Sequence, residues 1–185
     1  VEEILSICSM VDCKGETSPI TKEIKENIRK ISKQLNEDGL RVVAVCQKND
    51  VTNIEHFEVA DEKNMILLGF IGFLDPPKES AKASIEKLNR AGIRVIVLTG
   101  DNAEVTRCVC NKVGINSKNI VLGSKLDKLT DIAVLRLLRK TNIFAKLSPI
   151  QKARIVRLLR DSGNVVGYMG DGINDSPSLT NCDVG

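Results

Sequence analysis

The sequence predicts an α/β protein with a doubly wound, mainly parallel sheet, preceded by part of a smaller α+β region. Three observations carry this. From residue 78 onward, short β-branched runs alternate strictly with amphipathic helical stretches, the pattern of strands joined by crossover helices. Upstream, one long helical repeat precedes two strand-like runs separated by a polar stretch, which breaks that alternation. Polar clusters stand directly after three of the downstream strands, at the carboxyl ends where open α/β sheets bind ligands.

In chain order, Glu2 to Met10 reads as a short helical stretch, and Asp12 to Thr17 as a turn containing Gly15. Ser18-Pro19 reads as a helix start, with serine as N-cap and proline at the first helical position. Ile20, Ile24, Ile28, Ile31 and Leu35 recur at helical spacing, and Gly39 is a natural stop. Arg41 to Gln47 reads as a strand, Asn49 to Asn64 as a polar loop, and Ile66 to Leu74 as a buried strand. A boundary is expected near residues 65 to 75, dividing the chain into 1–65 and 66–185. Beyond it come a helix over Lys78–Ala91, with Ala81, Ile85 and Leu88 on one face, and a strand over Ile93–Leu98. Helix Ala103–Val113, strand Ile120–Leu122, helix Thr130–Arg139, strand Asn142–Ala145, helix Ile150–Asp161 and strand Val165–Tyr168 complete the pattern.

Composition narrows the function classes. The 185 residues are 42% hydrophobic and 28% charged, an ordinary globular balance. A net charge of +3 is too small to argue for nucleic acid, and with no Trp and 3% aromatics there is no platform for stacking bases. Lys22, Lys25, Arg29, Lys30 and Lys33 alternate with Glu23, Glu26 and Glu37, which reads as a solvated helix face. None of the six cysteines forms a C-x-x-C pair or sits at zinc spacing, so they read as reduced thiols of a cytosolic compartment. The longest apolar run, Met65 to Leu74, is too short to span a bilayer, and no signal peptide is visible. The chain therefore reads as soluble, and both of its ends read as cuts within a longer protein.

Three clusters carry the chemistry. Thr99-Gly100-Asp101-Asn102 follows a strand and starts a helix. A hydroxyl and free backbone N–H groups there suit a phosphate, and Gly100 permits close approach; the same residues also suit an ordinary N-cap. Gly170-Asp171-Gly172-Ile173-Asn174-Asp175 follows the last strand and offers hard oxygens to Mg²⁺, which would neutralise a phosphoryl group. A polar turn is the alternative, and the acidic spacing is not that of a calcium-binding EF-hand. Lys146 to Lys152 follows the strand Asn142–Ala145. Lys152 falls in the first turn of a helix, where the dipole disfavours a cation, so it either wants an anionic partner or is simply solvated. Together the clusters point to phosphate chemistry. A nucleophilic carboxylate on an upstream strand is missing. Asp12-Cys13-Lys14-Gly15-Glu16-Thr17 is a decoy, because it lacks a hydroxyl after the lysine and, on this reading, follows a helix.

These motifs bring a resemblance into view. Leu74-Asp75-Pro76-Pro77-Lys78-Glu79, Leu98-Thr99-Gly100-Asp101-Asn102, Phe144-Ala145-Lys146-Leu147-Ser148-Pro149 with Lys152, and Met169 to Asp175 with Ser176-Pro177-Ser178-Leu179 stand in the order and spacing of P-type (E1-E2) cation-transporting ATPases. The match covers residues 66 to 185, and Gly39 to Val45 resembles the end of that family's nucleotide-binding domain. Phe73 to Glu79 looks most like the bacterial magnesium-transporting branch.

The resemblance implies a haloacid-dehalogenase-like phosphorylation domain at 66–185, with 1–65 the C-terminal part of a nucleotide-binding domain. It implies ATP and Mg²⁺ as cofactors. Thr99 and Gly100 would contact the transferred phosphoryl group, and Asp101 would lie toward the nucleotide and help close the domains. Lys152 would stabilise phosphoryl oxygens. Asp171 would coordinate Mg²⁺, with Asn174 and Asp175 supporting that site. Asp75 and Lys146 would line the nucleotide–phosphate cleft, and Arg41 would reach the ATP phosphates. The parent would be an integral membrane protein of a bacterial plasma membrane, moving a cation, with this segment cytoplasmic.

Two departures stand out. Ser176-Pro177-Ser178-Leu179 replaces the usual Ala-Pro-Ala-Leu. The family's phosphorylated aspartate and its strand lie upstream, outside this chain, so the chain alone is expected to form no phosphoenzyme and to expose sheet edges through which it self-associates. The rival readings are a calcium pump, a free-standing phosphatase, which lacks its Asp-x-Asp motif here, and a non-catalytic nucleotide-binding module on the same fold.

Overall fold

A helix, α1 (Glu2–Ile7), leads directly into strand β1 (Cys8–Cys13) in the computed structural model, which describes residues 1–49, 58–170 and 175–185. The sequence predicts helix as far as Met10, and the strand corrects this. The pairing of β1 shifts register between Cys8 and Met10, so Cys8 and Val11 both turn inward and are buried. That bulge gives apolar residues three apart, a spacing that mimics a helix. β1 and β2 (Glu16–Pro19) form an antiparallel hairpin. Its two-residue turn has Lys14 at φ 57° and Gly15 at φ 90°, the double left-handed geometry that fits strand twist. Asp12 Oδ1 accepts from the Gly15 amide at 2.8 Å. The Asp12–Thr17 decoy is thus an exposed hairpin tip, and it does follow a strand.

Pro19 ends β2 rather than starting a helix. The cap is Thr21, whose hydroxyl accepts from Ile24 N at 3.2 Å and opens α2 (Lys22–Glu37). Gly39, at φ 91°, stops it as the sequence predicts. The buried stripe of α2 runs through Ile28 and Ser32, while Ile31 turns outward at 43% exposure. Its basic residues are solvated, with Arg29 pairing Glu2 at 3.0 Å. β3 (Leu40–Gln47) and β4 (Met65–Leu74) pair antiparallel, and the sheet order is β2-β1-β4-β3. Leu5, Cys8, Val11, Ile28, Ala44 and Leu67 form the core of this unit. Only the first part of β4 is buried; Phe73 and Leu74 are more than half exposed. Because β4 is the partner of both β1 and β3, the division between compact units falls at Asp75/Pro76, at the far end of the 65–75 window in which the sequence places a boundary.

The second unit spans Pro76–Gly185. α3 (Ser80–Arg90) has no buried residue, and Leu88 on its apolar face is 39% exposed. β5 (Val97–Leu98), α4 (Ala103–Lys112), β6 (Ile120–Leu122), α5 (Gly123–Leu126), α6 (Asp131–Leu138), β7 (Ile143–Ala145) and α7 (Pro149–Asp161) follow, and α8 (Ser176–Leu179) closes the unit. The sheet is parallel with order β5-β7-β6, which agrees with the parallel α/β expectation. Val121, Leu126, Val134, Leu138, Phe144, Leu147, Ile155 and Leu158 make its core.

Two strands are shorter than the sequence suggests. β5 covers only the last two residues of Ile93–Leu98, and Val165–Tyr168 makes a single bridge, Gly167 to Val184. Both runs have strand composition. A β-branched run becomes a strand only where a neighbour takes up its backbone N–H and C=O groups.

Phe144 is fully buried at the centre of β7. Phe144→Ala is expected to cost about 3–5 kcal/mol, read as a lower urea midpoint at unchanged slope.

Candidate functional site

The carboxyl ends of β5 and β7 remain paired beyond the strands themselves. Thr99 N donates to Phe144 O at 3.0 Å, Leu147 N to Thr99 O at 3.0 Å, and Lys146 N to Asp101 O at 2.7 Å. The Thr99–Asn102 loop and the Lys146–Lys152 loop are therefore laced together by main chain. Lys146 sits at φ 52°, a left-handed conformation that costs a non-glycine residue about 1–2 kcal/mol. Its carbonyl presses on Gly123, where a Cβ would lie 2.3 Å from Lys146 O and 2.5 Å from Gln151 Oε1. Gly123 is needed for that close approach. At Gly100 a Cβ would meet only Leu147 O, at 3.6 Å.

Within the first loop, roles divide cleanly. Asn102 is the N-cap of α4, its Oδ1 accepting from Val105 N at 2.9 Å. Capping α4 is therefore not the task of Thr99 or Asp101. Thr99 Oγ1 accepts from Asp101 N at 3.1 Å and donates to Asp101 Oδ2 at 3.2 Å. Both side chains are half-buried.

The second loop ends in a capping box. Ser148 Oγ accepts from Gln151 N, and Gln151 Oε1 accepts from Ser148 N at 2.9 Å, with Pro149 in the first turn. Gln151 Nε2 also donates to Gly123 O and to Asp127 Oδ1. This box fixes the first turn of α7, and with it Lys152. The anionic partner that the dipole argument asks for is Asp175. Lys152 Nζ reaches Asp175 Oδ1 at 2.8 Å, with each side chain only 14% exposed. Tyr168 Oη donates to the same oxygen at 2.9 Å. Asp175 Oδ2 faces Gly170, where a Cβ would come within 2.7 Å of it, so position 170 has no room for a side chain.

The Lys152 hydrogen bond, helped by that from Tyr168 and opposed by burial, holds the Asp175 carboxyl below its usual range. Burial and the hydrogen bond to Asp175 push the Tyr168 hydroxyl up to about 12, so at neutral pH it stays a donor. Tyr168 has no place among the sequence-predicted residues. Its one signal is a hydroxyl ending an apolar run just before a Gly-Asp loop.

Of the remaining candidates, Asp171 and Asn174 lie outside the described residues. Arg41, on β3 opposite Phe73, and Asp75, just after β4, occupy one end of the first sheet and are exposed. The described residues contain no group of three metal-ligating side chains. Ser178, at one of the departures from the resembled family, is fully buried, and its Oγ has no hydrogen-bond partner among the described residues.

Residues 1–80 match the family described as "P-type ATPase, cytoplasmic domain N". Over its whole length the chain is 43% identical to "Magnesium-transporting ATPase, P-type 1" of Escherichia coli (strain K12), of which it covers 21%. Its homologues are P-type cation ATPases. The P-type ATPase of the same name in Salmonella typhimurium (strain LT2) is 40% identical, with 20% of it covered. "Calcium-transporting ATPase 1" of Bacillus cereus is 32% identical over 190 residues, with 21% of it covered. The chain thus spans about a fifth of the length of these P-type ATPases. No helix among the described residues is long and apolar enough to cross a membrane.

Two outcomes follow from the geometry. The depressed Asp175 carboxyl contributes stability that is complete above the ordinary aspartate range, near pH 4, and is lost as pH falls through its lower folded value. Lys152→Met removes the main cause, so melting temperatures of the two proteins should differ most at neutral pH and converge as pH falls through the lowered folded value. Ser178→Ala removes a buried hydroxyl that has no hydrogen-bond partner among the described residues and should raise stability by about 1 kcal/mol in urea unfolding.

Proposed function

We propose that this chain is the nucleotide-binding and phosphorylation region of an ATP-driven cation pump. The whole protein transfers the γ-phosphoryl of ATP to an aspartate outside this chain, hydrolyses the acyl phosphate, and moves Mg²⁺ across a membrane. One observation carries the reading: a largely buried Lys152–Asp175 pair at 2.8 Å, on the same unit as a Thr99–Asp101 loop laced to the Lys146 loop. A cation held in a helix's first turn against the dipole is useful where anionic oxygens arrive.

In this reading the unit from Pro76 onward is of the haloacid-dehalogenase type, and residues 1–75 are the end of the nucleotide-binding domain. The Thr99 hydroxyl and the Gly100 amide contact the phosphoryl oxygens, and Lys152 balances their charge. Asp175 and Tyr168 keep Lys152 aimed. Asp171, Asp175 and Asn174 fit Mg²⁺ by donor type, since one Asp175 oxygen, Oδ2, is not taken by Lys152 or Tyr168. The ion would supply charge neutralisation between phosphates. Asp101, Lys146, Asp75 and Arg41 serve the nucleotide side. Mg²⁺ is favoured as cargo because identity to the magnesium-transporting relatives is 43% against 32% for a calcium-transporting one. The edge of β5 away from β7 is the place for a further strand of the parent, and the isolated chain associates through it at high concentration, as light scattering would show.

The test incubates Mg·ATP carrying a γ-³²P label with this chain and with one extended upstream through the remaining cytoplasmic sequence. Acid-stable, hydroxylamine-labile label is expected on the extended chain alone. Lys152→Met and Asp171→Asn should each reduce it at least tenfold. Label on the short chain, or none on a folded extended chain, contradicts the proposal.

A further inference from the structure

The opposite end of the second sheet carries a different feature. A hollow of about 310 Å³ is lined by Arg94, Asn116, Lys118, Arg139, Lys140 and Asn142 among others, all of them polar. These residues precede β5, β6 and β7 or lie between them and the helices before, so the hollow is at the amino ends of the strands. Strands of two or three residues place it about 10 Å or less along the sheet from the Thr99–Lys146 end.

Four cations and no carboxylate line this hollow. None of the four makes an ion pair among the described residues. Helix C-termini explain part of this, because α4 and α6 both end nearby and each contributes about −0.5 charge. Two such ends give about −1, well short of balancing four positive charges.

Arg94 is also built in place. Its Nε donates to Asn142 Oδ1 at 2.8 Å, and its Nη2 donates to Thr141 O at 2.9 Å and to Leu138 O. Its Nη1, with two N–H groups, has no partner among the described residues. Asn116 uses its Oδ1 to accept from Lys118 N at 3.1 Å, which leaves its amide N–H groups as donors. The result is a fixed guanidinium with spare donors, three further cations and amide donors around one space.

We infer that this hollow is a second oxyanion site, separate from the candidate phosphoryl-transfer site, and that it takes a phosphate group. A guanidinium edge and flanking lysines match phosphate oxygens in geometry and charge. The phosphate belongs either to a small soluble anion or to a lipid headgroup.

The experiment titrates inorganic phosphate into the Mg²⁺-free chain at low ionic strength and follows backbone and Arg94 Nε signals by NMR. Saturable shifts are expected at Asn116–Asn119 and Arg139–Asn142. Affinity should fall at least tenfold in the Arg139→Ala/Lys140→Ala double variant and about threefold in Lys118→Ala, and stay within twofold in Lys152→Met. All three lysine and arginine positions are exposed, and circular dichroism checks that each variant folds. Shifts confined to Thr99–Asp101 and Lys152, non-saturating shifts, or full affinity in the double variant would overturn the site. Sedimentation with phosphatidic acid vesicles but not phosphatidylcholine vesicles, lost in the double variant, would assign the phosphate to a lipid. Binding of free phosphate without sedimentation would assign it to a soluble anion.

Discussion

The pairing of β5 with β7 does not stop where the strands do. Main-chain bonds from Lys146 to Asp101 and from Leu147 to Thr99 carry it into the loops. The polar side chains of the Thr99–Asn102 and Lys146–Lys152 loops are built on that extension. It requires Lys146 to adopt a left-handed backbone and Gly123 to lie against the Lys146 carbonyl. The strain is small against the core beneath it, where Phe144, Ala145 and Ile155 are completely buried.

Around this frame, structural and chemical duties fall to different residues. Asn102 caps α4 and Ser148 with Gln151 caps α7, so Thr99, Asp101 and Lys152 are not the capping residues of these helices. Lys152 has a partner in Asp175, and Asp175 has a second donor in Tyr168. A part-buried pair stripped of one member leaves an uncompensated charge, the costlier state. The geometry therefore ties the third motif to the second through one carboxylate oxygen.

Much of this was legible in the sequence. The long helical repeat, the Gly39 stop, the parallel alternation and the place of the polar clusters after strands all follow from period and turn chemistry. What was not legible has identifiable causes. A bulge gave β1 the spacing of a helix, and Thr21 took the capping role that Ser18-Pro19 advertises. Ile93–Ile96 and Val165–Tyr168 have the composition of strands, but composition cannot say whether a neighbouring strand is there to pair. The left-handed Lys146, the close contact at Gly123 and the Tyr168–Asp175 bond depend on segments far apart in sequence, and no local pattern encodes them. The capping box Ser148-Pro149-Ile150-Gln151, by contrast, is encoded locally as a serine followed three residues later by glutamine.

The central claim is that the two loops are held by sheet-like backbone pairing before any ligand arrives. Native-state hydrogen exchange on the ligand-free chain tests it directly. The amides of Lys146 and Leu147 should exchange as slowly as that of Phe144, through opening of the whole unit. Exchange at the rate of an exposed, unbonded loop amide would show that the loops are not laced, and the preformed site would fall with them.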